Sequence, residues 1–328
     1  MMPTPIRWGI LGTGGIAASF TRDLLAAGCT VTAAGSRSKD TAAAFAAGFG
    51  IPHSCGSYEE LVSRSDVDVV YIATPHSRHC EDALLAINAG KHVLVEKAFT
   101  QNAAQARIVA DAARHAGVTI MEAMWTRFLP HMVALRKLLA DGDIGEVRTV
   151  MADHNQVLST DPAHRIRNPE LAGGALLDLG IYPISFAIDV LGLPSRITAR
   201  ADFTDTHVDR WNVVTLEHPG GRYSVSQSAL DQPGPNTATV IGSTGYVVID
   251  RVWYTPTAFT QFNVDHRVVR RFDQSVPGRG MQYEAYEMES LIRNGAATST
   301  LMPIEQTVHI MEVLDEIRSQ IGFGLPGD

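Results

Sequence analysis

Cysteine is scarce in this chain: three in 328 residues, at positions 29, 55 and 80, with no C-x-x-C spacing. That argues against a disulfide framework and fits free thiols in a reducing compartment. Aromatic residues make up 7% and charged residues 19%, alongside 45% hydrophobic residues, a composition that excludes a disordered chain. Positive charge is also short. Lys and Arg number 27 against 35 Asp and Glu, a formal net charge of −8, and Arg270–Arg271 is too brief to form a basic patch. A nucleic-acid partner, which needs clustered cations against phosphate, is not expected. No apolar run is read as reaching the ~18 residues of a membrane span. A glycine turn follows soon after Arg7, where a secretory signal needs an apolar core. The expectation is a soluble cytoplasmic protein with no membrane partner, long enough for about two domains of ~150 residues each.

What is present is a repeating alternation. β-rich runs occur at 6–11, 31–36, 67–74, 91–95 and 118–123, separated by Ala-rich helical stretches at 15–27, 40–48, 57–64, 79–89 and 101–116. Ser57 with Glu60 makes a capping box for the third helix. Strand–helix alternation predicts an α/β Rossmann domain with a parallel doubly wound sheet over residues 1–124. After 125 the pattern changes. A helix is predicted at 130–140, a strand at 146–156, a loop at 159–170 and a helical stretch at 173–191. Alternating runs with turn dipeptides then fill 196–273, and helices follow at 281–294 and 303–320. This predicts a second, α+β domain over 125–328, with a large, mostly antiparallel open sheet. The exposed face of that sheet is a candidate oligomer interface.

The first strand opens directly into a helix through Gly12-Thr13-Gly14-Gly15-Ile16-Ala17, a G-x-G-x-x-A pattern. Gly12 permits the turn, Gly14 lets backbone approach a pyrophosphate, and Ala17 lets helix pack on strand. Gly12, Thr13, Gly14, Gly15 and Ile16 are therefore the phosphate-binding candidates, at the positive end of a helix dipole. Ligands in such sheets sit beyond the strand ends, at 12–15, 36–39, 74–79 and 96–99. After the second strand stand Ser36, Arg37 and Lys39, with no Asp or Glu in 31–39. A carboxylate there suits the ribose hydroxyl of NAD, whereas a guanidinium pairs with the 2′-phosphate of NADP, so NADP is predicted over NAD. The alternative is that Arg37 and Lys39 only solvate a loop.

Two further stretches carry chemistry. Val93-Leu94-Val95-Glu96-Lys97-Ala98 is an apolar strand ending in a Glu-Lys pair. In Gly173-Gly174-Ala175-Leu176-Leu177-Asp178-Leu179-Gly180-Ile181-Tyr182, Asp178 and Tyr182 are four apart, hence on one helical face. They are either site residues or a buried structural pair.

These stretches, with Ala73-Thr74-Pro75-His76 and His79, resemble the glucose–fructose oxidoreductase/inositol dehydrogenase (Gfo/Idh/MocA) family over nearly the whole chain. Glu122 to Pro130 and Asn168 to Gly174 are similar to its branch of dihydrodiol and D-xylose dehydrogenases. The resemblance implies an active site between the two domains and use of NAD(P) to oxidise sugars or related alcohols, or to reduce the matching ketones. It implies Thr74, Pro75, His76, His79, Glu96 and Lys97 near the cofactor. It also implies Tyr182 as acid/base assisted by Lys97, with Asp178 orienting Lys97 or the substrate hydroxyl. Trp125, Arg127 and Phe128, after the last strand of the first domain, are candidates to line the substrate pocket with Asp178 and Tyr182; the alternative is a packing cluster at a hinge. Tyr283, Glu284 and Glu287 could reach the cleft, although Glu284 and Glu287 read better as a solvated face. His76-x-x-His79-Cys80 is the nearest approach to a metal cluster, and no metal is expected, because hydride transfer needs none.

Two departures stand out. Ala98 replaces the family's usual proline after Glu-Lys, which frees a backbone φ angle, and His76 stands where Asn is common. The expected partner is a small polyol, sugar or diol, and the expected assembly a homodimer or homotetramer through the open sheet. Two other readings stay open: a sugar oxidoreductase with a tightly held cofactor, and a non-catalytic NADP-binding regulatory paralogue.

Overall fold

The computed structural model describes residues 5–326. By internal contacts the chain forms two units. The first holds the described residues up to Trp125 together with Pro277–Val308, and the second holds Thr126–Val276 with the described residues from His309 onward.

The first unit alternates strand and helix: β1 Arg7–Leu11, α1 Gly15–Ala26, β2 Thr30–Gly35, α2 Lys39–Phe49, β3 His53–Cys55, α3 Tyr58–Val62, β4 Val69–Ile72, α4 His79–Asn88, β5 His92–Glu96, α5 Ala103–Ala116 and β6 Ile120–Ala123. The sheet has six parallel strands in the order β3-β2-β1-β4-β5-β6, the doubly wound order of a dinucleotide fold. Its central strands are apolar on both faces because helices cover both sides. Val69 to Ile72 and Val93 to Val95 are fully buried. Helix ends follow local chemistry. The Ser57 hydroxyl accepts from Glu60 N at 3.1 Å, while the Glu60 carboxylate reaches back to Gly56 N at 2.7 Å, one residue earlier than a standard capping box. The edge strand β3 went unforeseen, since three residues carry no periodicity.

The helix α8, Gln282–Arg293, lies in this same unit, whereas the sequence reading assigned all of 125–328 to the second domain. Two polar ties hold it there. Asp23 on α1 accepts from Arg279 N and Met281 N, both at 3.0 Å, and the Trp8 indole donates to Glu289 at 3.0 Å. An amphipathic helix does not announce which sheet it will cover.

The second unit comprises α6 Pro130–Ala140, β7 Val147–Asn155, α7 Ile181–Leu191, β8 Arg196–Phe203, β9 Asp209–His218, β10 Arg222–Ala229, β11 Ala238–Gly242, β12 Gly245–Ile249, β13 Phe259–Asn263 and β14 Val268–Phe272. A final helix, α9, spans Ile304–Ile321. The eight strands order as β14-β13-β12-β11-β7-β10-β9-β8. All pairings are antiparallel except β7 with β10. α7 packs on β7 and β10, covering one face of the sheet. The helical run Pro169–Leu191 is long and apolar enough by composition to cross a membrane, with mean hydropathy 1.6, and 94% of its most apolar window is buried. The expectation that no apolar run reaches the length of a membrane span is corrected by this stretch, on length and composition alone.

Candidate functional site

The turn between β1 and α1 shows why its residues are small. Gly12 has φ +101°, and a Cβ there would stand 2.8 Å from the Ala73 carbonyl oxygen. Gly14, by contrast, has an ordinary φ of −78°, and a Cβ on Gly14 or Gly15 would meet nothing within 4 Å. α1 begins without a side-chain cap or an acidic residue in its first turn, so no side chain at that end answers the positive end of the helix. Ala17 is fully buried. A turn of small residues at an uncapped helix N-terminus fits a pyrophosphate. Beyond β2, the Thr13 hydroxyl donates to Ser36 Oγ at 3.5 Å, and Arg37 and Lys39 are exposed. Arg37 stands beside the Tyr58 hydroxyl, whose pKa burial raises and Arg37 partly restores.

The loops after β4 and β5 are bound together. The Thr74 hydroxyl donates to Asp82 at 2.8 Å, a buried carboxylate that also pairs with Arg78 at 2.8 Å; burial raises its pKa. Pro75 opens a single turn over His76–Arg78. At the end of β5, Glu96 accepts from the Tyr71 hydroxyl and from Lys97 N at 3.2 Å. His76 Nε2 donates to the Lys97 carbonyl at 3.2 Å. His79 is fully buried, with Nδ1 at 2.8 Å from the Ala98 carbonyl and Nε2 at 2.8 Å from the Thr74 carbonyl. The two carbonyls favour a charged ring, but burial outweighs them and, with the nearby Lys97 charge, pushes the His79 pKa down to about 4. The neutral ring therefore has one N–H for two acceptors. Phe99 N donates to buried Glu122 at 3.1 Å.

Glu284, read from the sequence as part of a solvated face, is fully buried, and neither carboxylate oxygen has a hydrogen-bond partner among the described residues. Burial raises its pKa well above the usual range, and Glu96 and Asp23 add to the effect. Its neighbour in that reading, Glu287, accepts from Ser299.

In the second unit the stretch 173–191 is not one α-helix. Leu176–Gly180 is a π-turn that runs directly into α7, so Asp178 and Tyr182 sit across a widened turn of the kind found at functional sites. Buried Asp209 caps this entrance, accepting from Leu176 N at 2.8 Å. Gly174, at φ +117°, leaves the carboxylate room, since a Cβ there would lie 2.2 Å from Asp209 Oδ1. Burial pushes the Asp209 pKa up to about 6. Asp178 is paired by the Arg165 guanidinium at 3.2 Å, a partner with no signal in the sequence. Tyr182, 7% exposed, has the His154 ring edge-on at 4.9 Å and the Tyr254 ring at 5.5 Å. Tyr254 stacks on His154 at 3.7 Å, and burial, with Tyr182 adding to it, pushes its pKa up to about 12. The Gln156 amide donates to His154 Nε2 at 2.8 Å. His154, Gln156 and Tyr254 were not foreseen, because strand alternation marks a face without marking what covers it.

Trp125 and Phe128 are buried within the turn Trp125–Phe128, and the Arg279 guanidinium lies over the Trp125 ring at 5.5 Å. Arg127 is buried as well. Its guanidinium donates to the Ser185 carbonyl at 2.9 Å and approaches Asp189 at 3.7 Å. Those contacts tie Arg127 to α7.

Two family models match the chain. One, described as the oxidoreductase family with an NAD-binding Rossmann fold, matches residues 6–124, and another, the GFO/IDH/MocA C-terminal domain, matches residues 132–248. The trans-1,2-dihydrobenzene-1,2-diol dehydrogenase of Mus musculus is 38% identical, across 98% of this chain and 99% of that protein. The D-xylose 1-dehydrogenase (NADP(+)) of Hypocrea jecorina is 33% identical, across 99% and 94%. A solved 3-ketoreductase from Actinomadura kijaniata, in complex with NADP and TDP-benzene, is similar with a TM-score of 0.86 at 28% identity, covering 97% of this chain and 98% of that one.

Proposed function

We infer, from the premise that the chain belongs to the Gfo/Idh/MocA oxidoreductases, that it moves a hydride between NADP and a CH–OH carbon of a sugar, cyclitol or dihydrodiol. Tyr182 is the acid/base of this reading and Lys97 its assistant. The observation that carries it is the setting of Tyr182: a buried phenol at a π-turn, one turn from the Asp178–Arg165 pair. NADP over NAD is supported by exposed Arg37 and Lys39 and by the absence of a carboxylate at 31–39.

When bound, NADP supplies the carbon that takes or returns the hydride. In the oxidative direction Tyr182 accepts the proton of the substrate hydroxyl, and in reduction it donates one to the carbonyl oxygen. A phenol with a pKa near 10 is a poor base at neutral pH. One cation at ~4 Å in an effective dielectric of ~20 is worth on the order of 4 kcal/mol, or roughly 3 pKa units. A single ammonium is therefore sufficient, and we assign it to Lys97. Asp178, held by Arg165, orients the substrate hydroxyl.

The test is turnover and NADP binding in Tyr182→Phe and Lys97→Met. Both are expected to lose about 10²- to 10⁴-fold in kcat while still binding NADP. Near-full turnover in both variants overturns the mechanism. A screen of aldoses, cyclitols and trans-dihydrodiols, read by reduced-nicotinamide absorbance, assigns the substrate.

The same reading takes the chain to be a homodimer or homotetramer through the uncovered face of the eight-stranded sheet. Met151, Val213, Tyr223 and Ile241 share that face on β7, β9, β10 and β11 and are more than a third exposed. Sedimentation of Met151→Glu/Tyr223→Glu is expected to give monomer where the wild type is an oligomer; a monomeric wild type overturns the assignment.

A further inference from the structure

His76 and Ala98 meet in the fold. Ala98 leaves the backbone after Lys97 without a ring to restrict φ. The carbonyl of Lys97, which belongs to the peptide bond joining it to Ala98, accepts from His76 Nε2 at 3.2 Å. The next carbonyl, that of Ala98, faces His79 Nδ1 at 2.8 Å. The other side of the His79 ring faces the Thr74 carbonyl at 2.8 Å, so the ring bridges the loop after β4 to the loop after β5. The two imidazoles meet edge to face, with centroids 5.5 Å apart, and both are buried, at 5% and 0% exposure.

We propose that His76 and His79 are positioning residues for Lys97: His76 Nε2–H holds the Lys97 carbonyl, and the His79 ring, with one N–H set between the Ala98 and Thr74 carbonyls, packs against it edge to face, so that together they restrain the backbone that a ring at position 98 would otherwise restrain. The geometry favours this over simple loop packing for three reasons. The contacts are made to the backbone on either side of the Lys97–Ala98 bond. Phe99 N is held by Glu122 at 3.1 Å, and the imidazoles meet the two carbonyls just before it, those of Lys97 and Ala98. Moreover, the Ala98 N–H makes no hydrogen bond among the described residues, so a ring at that position removes no donor that the fold uses.

The catalytic consequence rests on the reading that Lys97 assists proton transfer, whereas the mechanical one does not. The test therefore reads both, in His76→Ala, His76→Asn, Ala98→Pro and the double variant His76→Ala/Ala98→Pro. Hydrogen exchange at the Lys97 amide reports the restraint without reference to activity. It is expected to quicken about tenfold in His76→Ala, to stay near wild type in His76→Asn, which retains a donor, and to return toward wild type in the double variant. Turnover is expected to follow, with kcat reduced on the order of ten- to a hundredfold in His76→Ala, the range for a misplaced catalytic group, and the NADP dissociation constant changed less than threefold. Unchanged exchange in His76→Ala overturns the proposal, as does failure of Ala98→Pro to restore the double variant. Faster exchange with full turnover overturns the claim that the restraint serves catalysis. Lys97→Met measured alongside identifies the cause: if it too turns over normally, the assigned role of Lys97 has failed rather than the restraint.

Discussion

Alanine at Gly12 and alanine at Gly14 are one chemical change with two different expected results. At Gly12 the backbone is at φ +101°, and the new Cβ would sit 2.8 Å from the Ala73 oxygen and 3.0 Å from its carbonyl carbon. The left-handed conformation costs a non-glycine residue about 1–2 kcal/mol. A contact against backbone that cannot swing away adds about 1–3 kcal/mol. The total, roughly 2–5 kcal/mol, corresponds to a fall in Tm of roughly 4–20 °C at about 2–4 °C per kcal/mol. At Gly14 the φ of −78° suits any residue, and no atom lies within 4 Å of the added Cβ. Losing a tolerable N-cap there costs at most about 1 kcal/mol, so Tm should fall by no more than roughly 4 °C. The Cβ would stand in the space assigned to the pyrophosphate, and the NADP dissociation constant should rise at least about tenfold, or 1.4 kcal/mol. Melting without ligand, together with calorimetric titration of NADP, measures both quantities. Wild-type NADP affinity in Gly14→Ala refutes the placement of the phosphates, and a wild-type melting temperature in Gly12→Ala refutes the account of strain.

Arg37→Ala should raise KM for NADP by about 10- to 100-fold, the value of a charge-assisted hydrogen bond, and leave KM for NAD within twofold; an equal effect on both cofactors removes Arg37 from the 2′-phosphate. Burial lowers the pKa of His131 and of His79 from 6.5 to about 4. Both are neutral when folded and take up protons on unfolding below pH ~6.5, so their stabilisation is full above that pH and is lost as pH falls toward 4. Each gap is worth about 3 kcal/mol. Urea midpoints measured from pH 7.5 to 4.5 should show the loss, and His131→Gln should remove about half of it, leaving the His79 share; a wild-type profile without slope contradicts the burial argument. Arg127→Ala should destabilise by about 3 kcal/mol, since it leaves buried polar groups on α7 short of a partner, although Arg136 still pairs with Asp189 at 2.9 Å. A raised substrate KM with no change in melting temperature would instead return Arg127 to the substrate pocket.

Most of the first unit was legible before any coordinates. Five strands and their helices fell within a residue or two of expectation, because apolar strand cores and caps such as Ser57 act over a few residues. The helix at Pro130–Ala140 was legible for the same reason. What stayed hidden was the choice of partner for each polar group. Arg127 could meet a substrate hydroxyl or Ser185, and nothing near it in sequence distinguishes the two. Glu284 lies on a helix with polar neighbours and still points fully inward. Asp178 gave no hint of Arg165, nor Gly174 of Asp209.

The sequence by itself determined the βαβ order, the glycine turn, the absence of a carboxylate after β2, and the Glu96-Lys97 strand end. Those are consequences of periodicity and of single-residue stereochemistry. Tertiary structure alone decided that 277–308 returns to the first unit, that a π-turn precedes Tyr182, and that His154 and Tyr254 surround it. It also decided that His76 and His79 reach the carbonyls that flank the Lys97–Ala98 bond. The physical reason is common to all of these. Burial obliges every polar group to find a partner, but the partner is supplied by whichever segment packs against it, and local spacing does not carry that information.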